Sequence, residues 1–403
     1  MSKNESKSKS QFLEQLEAKV NSLKKILELN QDKKEESLKY SVSFENNTKI
    51  KFLSYDELEM FNELIDSVLS YAEIGERFSR IYIEKEIINI FHKVLADTID
   101  ISSELDLFYS NLKNSSNDEW FIISEIENMK LLKSTPFQLI DCTIKHIFRS
   151  DFPLGGNLTE KEGFDYLQKS CIYTTVKAGD AEKAESLAQK NFTLAFSLLK
   201  LYFPHPNFNP ALKGTLVSGD QNILNYNMTK KKITNSSRIT GDLLLNIAYL
   251  NDELYSFLRQ KGIVELSKDS SITRVIKECL YWHKVGLDEE LLSGKLLNFV
   301  TVLESSLKKK GEMNELKQRV ADRCALMLGS GFDDRKDIVK NISAIYNIRS
   351  KIVHTGVIIE DKNLAELAGG YARAVLIELI QKNSYYQGNF EKFIDDIDDK
   401  KYL

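Results

Sequence analysis

Two side chains near the C-terminus have the chemistry to hold and cleave a phosphodiester. They are the guanidinium of Arg349 and the imidazole of His354, in Tyr346-Asn-Ile-Arg-Ser-Lys-Ile-Val-His-Thr-Gly356. A guanidinium stays charged at any working pH and offers a planar fork to phosphate oxygens. An imidazole titrates near neutrality and suits general acid–base transfer. Where the substrate is RNA, the ribose 2′-hydroxyl supplies the nucleophile, so the protein needs none. Ser350 adds a hydroxyl and Lys351 a second cation.

The surrounding pattern predicts a helix over about 335–354, with Ile338, Ile342, Ile345 and Ile352 on one face and Gly356 as a left-handed C-cap. His354 then lies in the last turn, where unpaired carbonyls favour an imidazolium. On an ideal helix Arg349 and His354 are separated by about 140° around the axis. They converge by reach, by unwinding near Gly356, or across two copies of the helix; the last option implies a dimer with a composite cleft. An arginine and a histidine at this spacing are a weak signal alone, because a histidine near a helix end is often only a dipole partner.

Composition bounds the alternatives. The chain has 403 residues, 42% apolar and 28% charged, with a net charge of −4. That length allows two or three domains. With no global basic field, nucleic-acid binding must come from a local patch. Cys142, Cys171, Cys279 and Cys324 form no CxxC pair and read as reduced thiols of a cytoplasmic protein. No run of about 18 apolar residues and no leader pattern appear, so neither a membrane span nor secretion is expected. His92, His146, His205, His283 and His354 lie in separate segments without metal-ligand spacing, so no metal and no cofactor are expected. No glycine-rich phosphate loop appears; Gly155-Gly156 and Gly369-Gly370 read as turn and helix-packing glycines.

The elements that must position the pair follow from periodicity. Residues 1–10 are polar and read as disordered. Leu13, Leu16, Val20, Leu23 and Leu27 step by threes and fours, which fits either a helix packed on its own domain or a short coiled coil. A β-hairpin is expected over 38–55, turning at Asn46-Asn47. Helices are expected over 57–73 and 82–98, then a strand near Trp120–Ile123. After the break at Asp151–Gly156 come a strand at Cys171–Val176, a helix capped by Ala178-Gly179-Asp180, and a further strand at Leu212–Val217. Residues 225–238 read as a polar loop. Its Lys230, Lys231, Lys232 and Arg238 are either solvated charge or an RNA-backbone contact. From about 240 the chain reads as successive helices: 241–260, 271–285, 288–308, 313–329, 335–354 and 363–383, the last opening on a capping box at Asn363 and Glu366. The acidic Asp395–Asp399 reads as a frayed tail. Glu304, beside the core stripe of the 288–308 helix, is a structural partner for a cation such as Arg323 or Arg349.

The region 275–383 resembles a HEPN domain of the ApeA-like type. The likeness is carried by Leu303-Glu304 in an amphipathic helix, the following helix, and Ile345-Tyr346-x-x-Arg349-Ser350-x-Ile352-Val353-His354 with Gly356. It covers about a quarter of the chain. It implies a helical bundle that often dimerises and a metal-independent endoribonuclease. In that family the arginine binds the scissile phosphate and the histidine moves a proton as the 2′-hydroxyl attacks, giving a 2′,3′-cyclic phosphate and a 5′-hydroxyl. The residue after the family's arginine is often Asn, Asp or His; here it is Ser350. Tyr346 and Glu304 would support the site. Family members commonly serve in prokaryotic defence against phages or as toxins, released by a phage-derived or protein trigger.

The expected architecture is mainly α, with a mixed α/β N-terminal region before a HEPN-like helical bundle. Expected boundaries are 1–35 for the N-terminal helix, 36–240 for a sensing or substrate-selecting region, 241–390 for the HEPN-like domain and 391–403 for an acidic tail. Two other readings stand beside the nuclease: a HEPN-like module that binds RNA or protein without cutting, and a nucleotide- or signal-binding regulator acting through 36–240.

Overall fold

The computed structural model describes residues 3–31, 40–43, 49–52, 54–96, 100–127, 129–131, 136–147, 169–203, 211–212, 219–230, 232–240, 248–250, 256, 260, 266, 269–312, 315–359 and 361–402. The protein is mostly helical with a small antiparallel sheet. It divides into two compact units: residues 1–122, 176–187 and 225–234 form one, and 123–175, 188–224 and 235–403 the other.

The first unit opens with α1 (Lys3–Gln31) and the hairpin β1 (Tyr40–Ser43) and β2 (Lys49–Phe52), in register Tyr40↔Phe52 and Val42↔Ile50. The proposed Asn46-Asn47 turn lies outside the described residues. Four helices follow: α2 (Tyr55–Leu69), α3 (Ala72–Gly75), α4 (Arg80–Leu95) and α5 (Ile101–Asn114). Ser54, Ser79 and Asp100 cap α2, α4 and α5 by accepting from backbone N–H groups three residues on. Leu16, Val20, Leu23 and Leu27 of α1 are buried in one core with Phe61, Ile65, Ile87, Phe91, Leu105 and Phe108. The stripe is therefore covered by α2, α4 and α5 of its own unit, which favours the helix packed on its own domain over the coiled coil. Helix, not disorder, runs from residue 3. Helix α5 is not among the elements expected from periodicity, because its apolar positions are fewer.

The strands are β3 (Asp118–Glu127), β4 (Met129–Leu131), β5 (Phe137–Leu139), β6 (Cys142–His146), β7 (Ser170–Ala178), β8 (Ala211–Leu212), β9 (Gly219–Asn227), β10 (Lys232–Thr240) and β11 (Ala248–Leu250). The largest sheet has the order β10-β9-β3-β7-β6-β5, with β8 on β3. Between β7 and β8 lies α6 (Ala181–Tyr202). At its start the buried Asp180 carboxylate accepts from Lys183 N at 2.9 Å and from Ser79 N at 2.7 Å.

Two expectations fail in this stretch. Residues 225–238 are not a polar loop but the ends of β9 and β10 with a turn between them. Their Asn, Ser and Thr side chains mask the apolar alternation of a strand. The turn is fixed by buried Asp118, which accepts from Asn227 Nδ2 and pairs with Lys230 Nζ. Residues 248–250, read as helix, form β11, which runs parallel to β4 in register Ala248↔Met129. A three-residue strand is set by its partner rather than by its own propensity. The Asp151–Gly156 break lies outside the described residues.

The second unit contains α7 (Ser271–Asp288), α8 (Leu292–Leu307), α9 (Leu316–Leu328), α10 (Phe332–Thr355), α11 (Lys362–Lys382) and α12 (Phe390–Asp399). A capping box of Ser270 and Thr273 starts α7. Helix α8 packs on α7 and α11, and α9 on α10. Phe299 of α8 lies between two glycines. A Cβ at Gly286 would fall 2.7 Å from the ring and one at Gly369 2.8 Å from it. The N-cap of α11 is Asp361, which accepts from Leu364 N, and not Asn363. The acidic tail is not frayed: Phe390, Phe393, Ile394 and Ile397 bury one face of α12, while Asp395 and Asp398 pair with Lys309 and Arg323. Alternation of apolar and acidic residues at helical spacing gives an amphipathic helix, which a reading of charge alone misses.

Candidate active site

Helix α10 carries the pair. It is continuous from Phe332 to Thr355 and ends on Gly356 at φ 67°, ψ 18°, whose N–H donates to Ile352 O at 3.0 Å. The left-handed C-cap stands where the sequence placed it. The helix is intact between Arg349 and His354, so unwinding does not bring them together in this structure. The two residues sit on different faces, displaced by about 7.5 Å along the axis.

Each face has its own surroundings. The Arg349 guanidinium lies 4.0 Å from the Glu304 carboxylate on α8 and is about one-third exposed. Tyr346, one turn before Arg349, is buried beside the same carboxylate. Its hydroxyl makes no hydrogen bond of ordinary geometry. Burial, then the charge of Glu304, pushes that phenol well above its usual range. Arg349, Glu304 and Tyr346 thus form one group between α8 and α10. Of the two cations suggested for Glu304, Arg349 is the one it meets.

The other face is open. Ser350, Lys351 and His354 are exposed, and Ser350 lies one turn before His354 on the same side. Thr355 Oγ1 donates to the Lys351 carbonyl at 2.6 Å within the last turn. Val353, Val357 and Ile358, close to His354 in the chain, are also exposed. The end of the helix thus presents an accessible imidazole with exposed polar and apolar residues near it in the chain.

Arg323 takes a different role from that suggested. It is buried, with Nε 2.7 Å from Asp398 Oδ1, Nη1 2.6 Å from Glu312 Oε2 and Nη1 donating to Leu307 O at 2.7 Å. The hydrogen bond from Arg323, with further donors, holds the Glu312 carboxyl down at about 2. This cluster ties α9 to α12 and to the turn after α8. The sequence carried one signal for it, a charged residue among Val320, Ala321 and Cys324 on a core-facing stripe.

Of the second basic group, Lys230 has a described side-chain partner. The Lys230 ammonium is 2.8 Å from buried Asp118 and serves the β9–β10 turn. Lys231 lies outside the described residues, and Lys232 and Arg238 belong to β10. His283 is buried against Phe299, its imidazole pushed down to about 4 by burial and by Arg373. It is a neutral core residue at physiological pH. His146 Nε2 lies 3.0 Å from Leu131 O, and His205 is outside the described residues.

Among the described residues no group of three or more His, Cys, Asp or Glu is placed to hold a metal ion. None of their helices is long and apolar enough to cross a membrane. Comparison with known proteins finds no significant match to any family model, curated protein or solved structure.

Proposed function

We propose that this chain is a metal-independent endoribonuclease of the HEPN type, with a mixed α/β N-terminal region ahead of a HEPN-like helical bundle. The observation that carries this reading is the end of α10, where Arg349, Ser350, Lys351 and an exposed His354 are presented by one rigid helix. The side chains suit the chemistry. Arg349 neutralises the scissile phosphate while His354 moves a proton. The ribose O2′–P bond forms, the P–O5′ bond breaks, and the products are a 2′,3′-cyclic phosphate and a 5′-hydroxyl. Acid–base transfer supplies about 10²–10⁴ in rate, and a positioned cation stabilises charge on the phosphorane.

A continuous helix argues for two copies. Arg349 of one chain and His354 of another can meet across a two-fold axis, where a patch on one copy faces the same patch on its partner. The exposed Val353, Val357 and Ile358 supply apolar surface for that contact. In this reading the protein is a cytoplasmic homodimer, silent until a phage-derived or protein trigger releases it, in anti-phage defence or as a toxin. The N-terminal region senses the trigger or selects the RNA.

The Arg349–Glu304 pair favours a second reading, in which the arginine is structural and the fold binds RNA or protein without cutting. Analysis of RNA 3′ ends in cells making the wild type or His354→Ala separates the two. Cyclic-phosphate ends that depend on His354 support the nuclease; equal end profiles support the binding module.

A further inference from the structure

The first unit holds a cleft of about 590 Å³ between α1 and α2, lined among others by Gln11, Phe12, Gln15, Lys19, Ser67 and Tyr71. That volume is in the range of small-molecule sites. Lys19 is its informative residue. The ammonium donates to Ser67 Oγ at 2.6 Å and to Glu63 O at 3.3 Å, and both acceptors are uncharged. An ammonium has three N–H groups, so one remains for a ligand. Among the described residues no carboxylate pairs with this half-buried cation.

The other walls narrow the ligand further. The Ser67 hydroxyl donates to Glu63 O and the Ser70 hydroxyl to Ser67 O, at 2.6 and 2.8 Å. Their protons are committed, so both oxygens present lone pairs to ligand N–H groups. Gln11 and Gln15 are one turn apart on the same face of α1, and each amide offers a donor and an acceptor. Phe12 and Tyr71 have ring centroids 4.8 Å apart and form an aromatic wall. The cleft therefore offers one point for an anion, hydrogen-bonding groups of both kinds and a surface for a planar ring. A lone lysine does not balance the charge of a triphosphate.

We infer that this cleft binds a nucleoside 5′-monophosphate, its phosphate on Lys19, its base against Phe12 and Tyr71 and its polar edge read by the glutamines. The inference stands apart from the ribonuclease reading, since it uses none of the α10 residues.

Titration calorimetry of the full chain with AMP, GMP, CMP and UMP, beside the matching nucleosides and inorganic phosphate, tests it. At least one nucleotide should bind one site per chain with Kd below about 1 mM. Its nucleoside and phosphate alone should each bind at least about tenfold more weakly, and Lys19→Gln should weaken the nucleotide by a similar factor. Gln15→Leu, on the exposed face of α1, should also weaken it and carries the test if Lys19→Gln fails to fold. The inference is overturned if none of the four nucleotides gives saturable heat, if phosphate alone binds as tightly, or if these variants bind like wild type.

Discussion

Arg349 faces Glu304 across 4.0 Å while His354, five residues further along the same unbroken helix, stands exposed on another face. This separation shapes the whole account. Within one copy the guanidinium is directed toward α8, and the imidazole is directed to solvent. A phosphodiester that uses both must draw Arg349 from Glu304 or bring a second copy alongside.

Glu304 should act as a positioning residue rather than as a catalytic one. Glu304→Gln keeps the shape and removes the charge that holds Arg349. The expected outcome is a changed KM for RNA, with cleavage retained and still dependent on His354. A variant as silent as His354→Ala would mean that the carboxylate itself takes part in proton transfer.

Tyr346 carries a buried hydroxyl that closes no ordinary hydrogen bond. Tyr346→Phe removes that polar atom without changing the packing. Urea unfolding should show it equal to wild type or up to about 1 kcal/mol more stable. A loss of more than about 1 kcal/mol would reveal a bond made by the hydroxyl.

Adjacent glycines in α11 should respond in opposite directions. Gly369→Ala places a Cβ 2.8 Å from Phe299, in a buried contact, and should cost about 1–3 kcal/mol. Gly370→Ala meets nothing within 4 Å and should gain up to about 1 kcal/mol by favouring the helix. Thermal melts of the two variants check the pair.

The Arg323 cluster predicts an acid-sensitive clamp on α12. The Glu312 carboxyl is held at about 2, against an ordinary value of 4.5, chiefly by hydrogen bonding to Arg323. A depressed folded value means stabilisation present above about 4.5 and lost as pH falls toward about 2. Between pH 6 and pH 3 the wild type should therefore lose more stability than Glu312→Gln. Arg323→Leu removes the buried guanidinium that bridges Glu312 and Asp398, which keep Arg319 and Lys309 as partners, and should cost about 1–3 kcal/mol at neutral pH. Urea midpoints at the two pH values test both statements.

Local pattern made much of this fold legible. The apolar steps of α2, α4, α8 and α10, the strand at β7 and the cap at Gly356 each follow from residues within a few positions of one another. What failed depended on distant partners. The β9–β10 turn is held by Asp118, more than a hundred positions away, and β11 exists because β4 lies beside it. The α12 tail is the exception: its signal was local, in the helical spacing of Phe390, Phe393, Ile394 and Ile397, and a reading of charge alone missed it. At the candidate site, residue types and the helix end were readable, as was the angular separation. The choice of Arg349 over Arg323 as the neighbour of Glu304 needed the packing of α8 on α10.

The most direct test of a shared Arg349–His354 site is RNA cleavage by Arg349→Ala, by His354→Ala, and by an equal mixture of the two, each re-equilibrated so that subunits exchange. Each variant alone should be silent. In the mixture about half the dimers pair one chain of each kind, and each such dimer regains one of its two sites, so about a quarter of the wild-type rate should return. Wild-type cutting by either single variant, or a mixture that stays silent, would contradict this account.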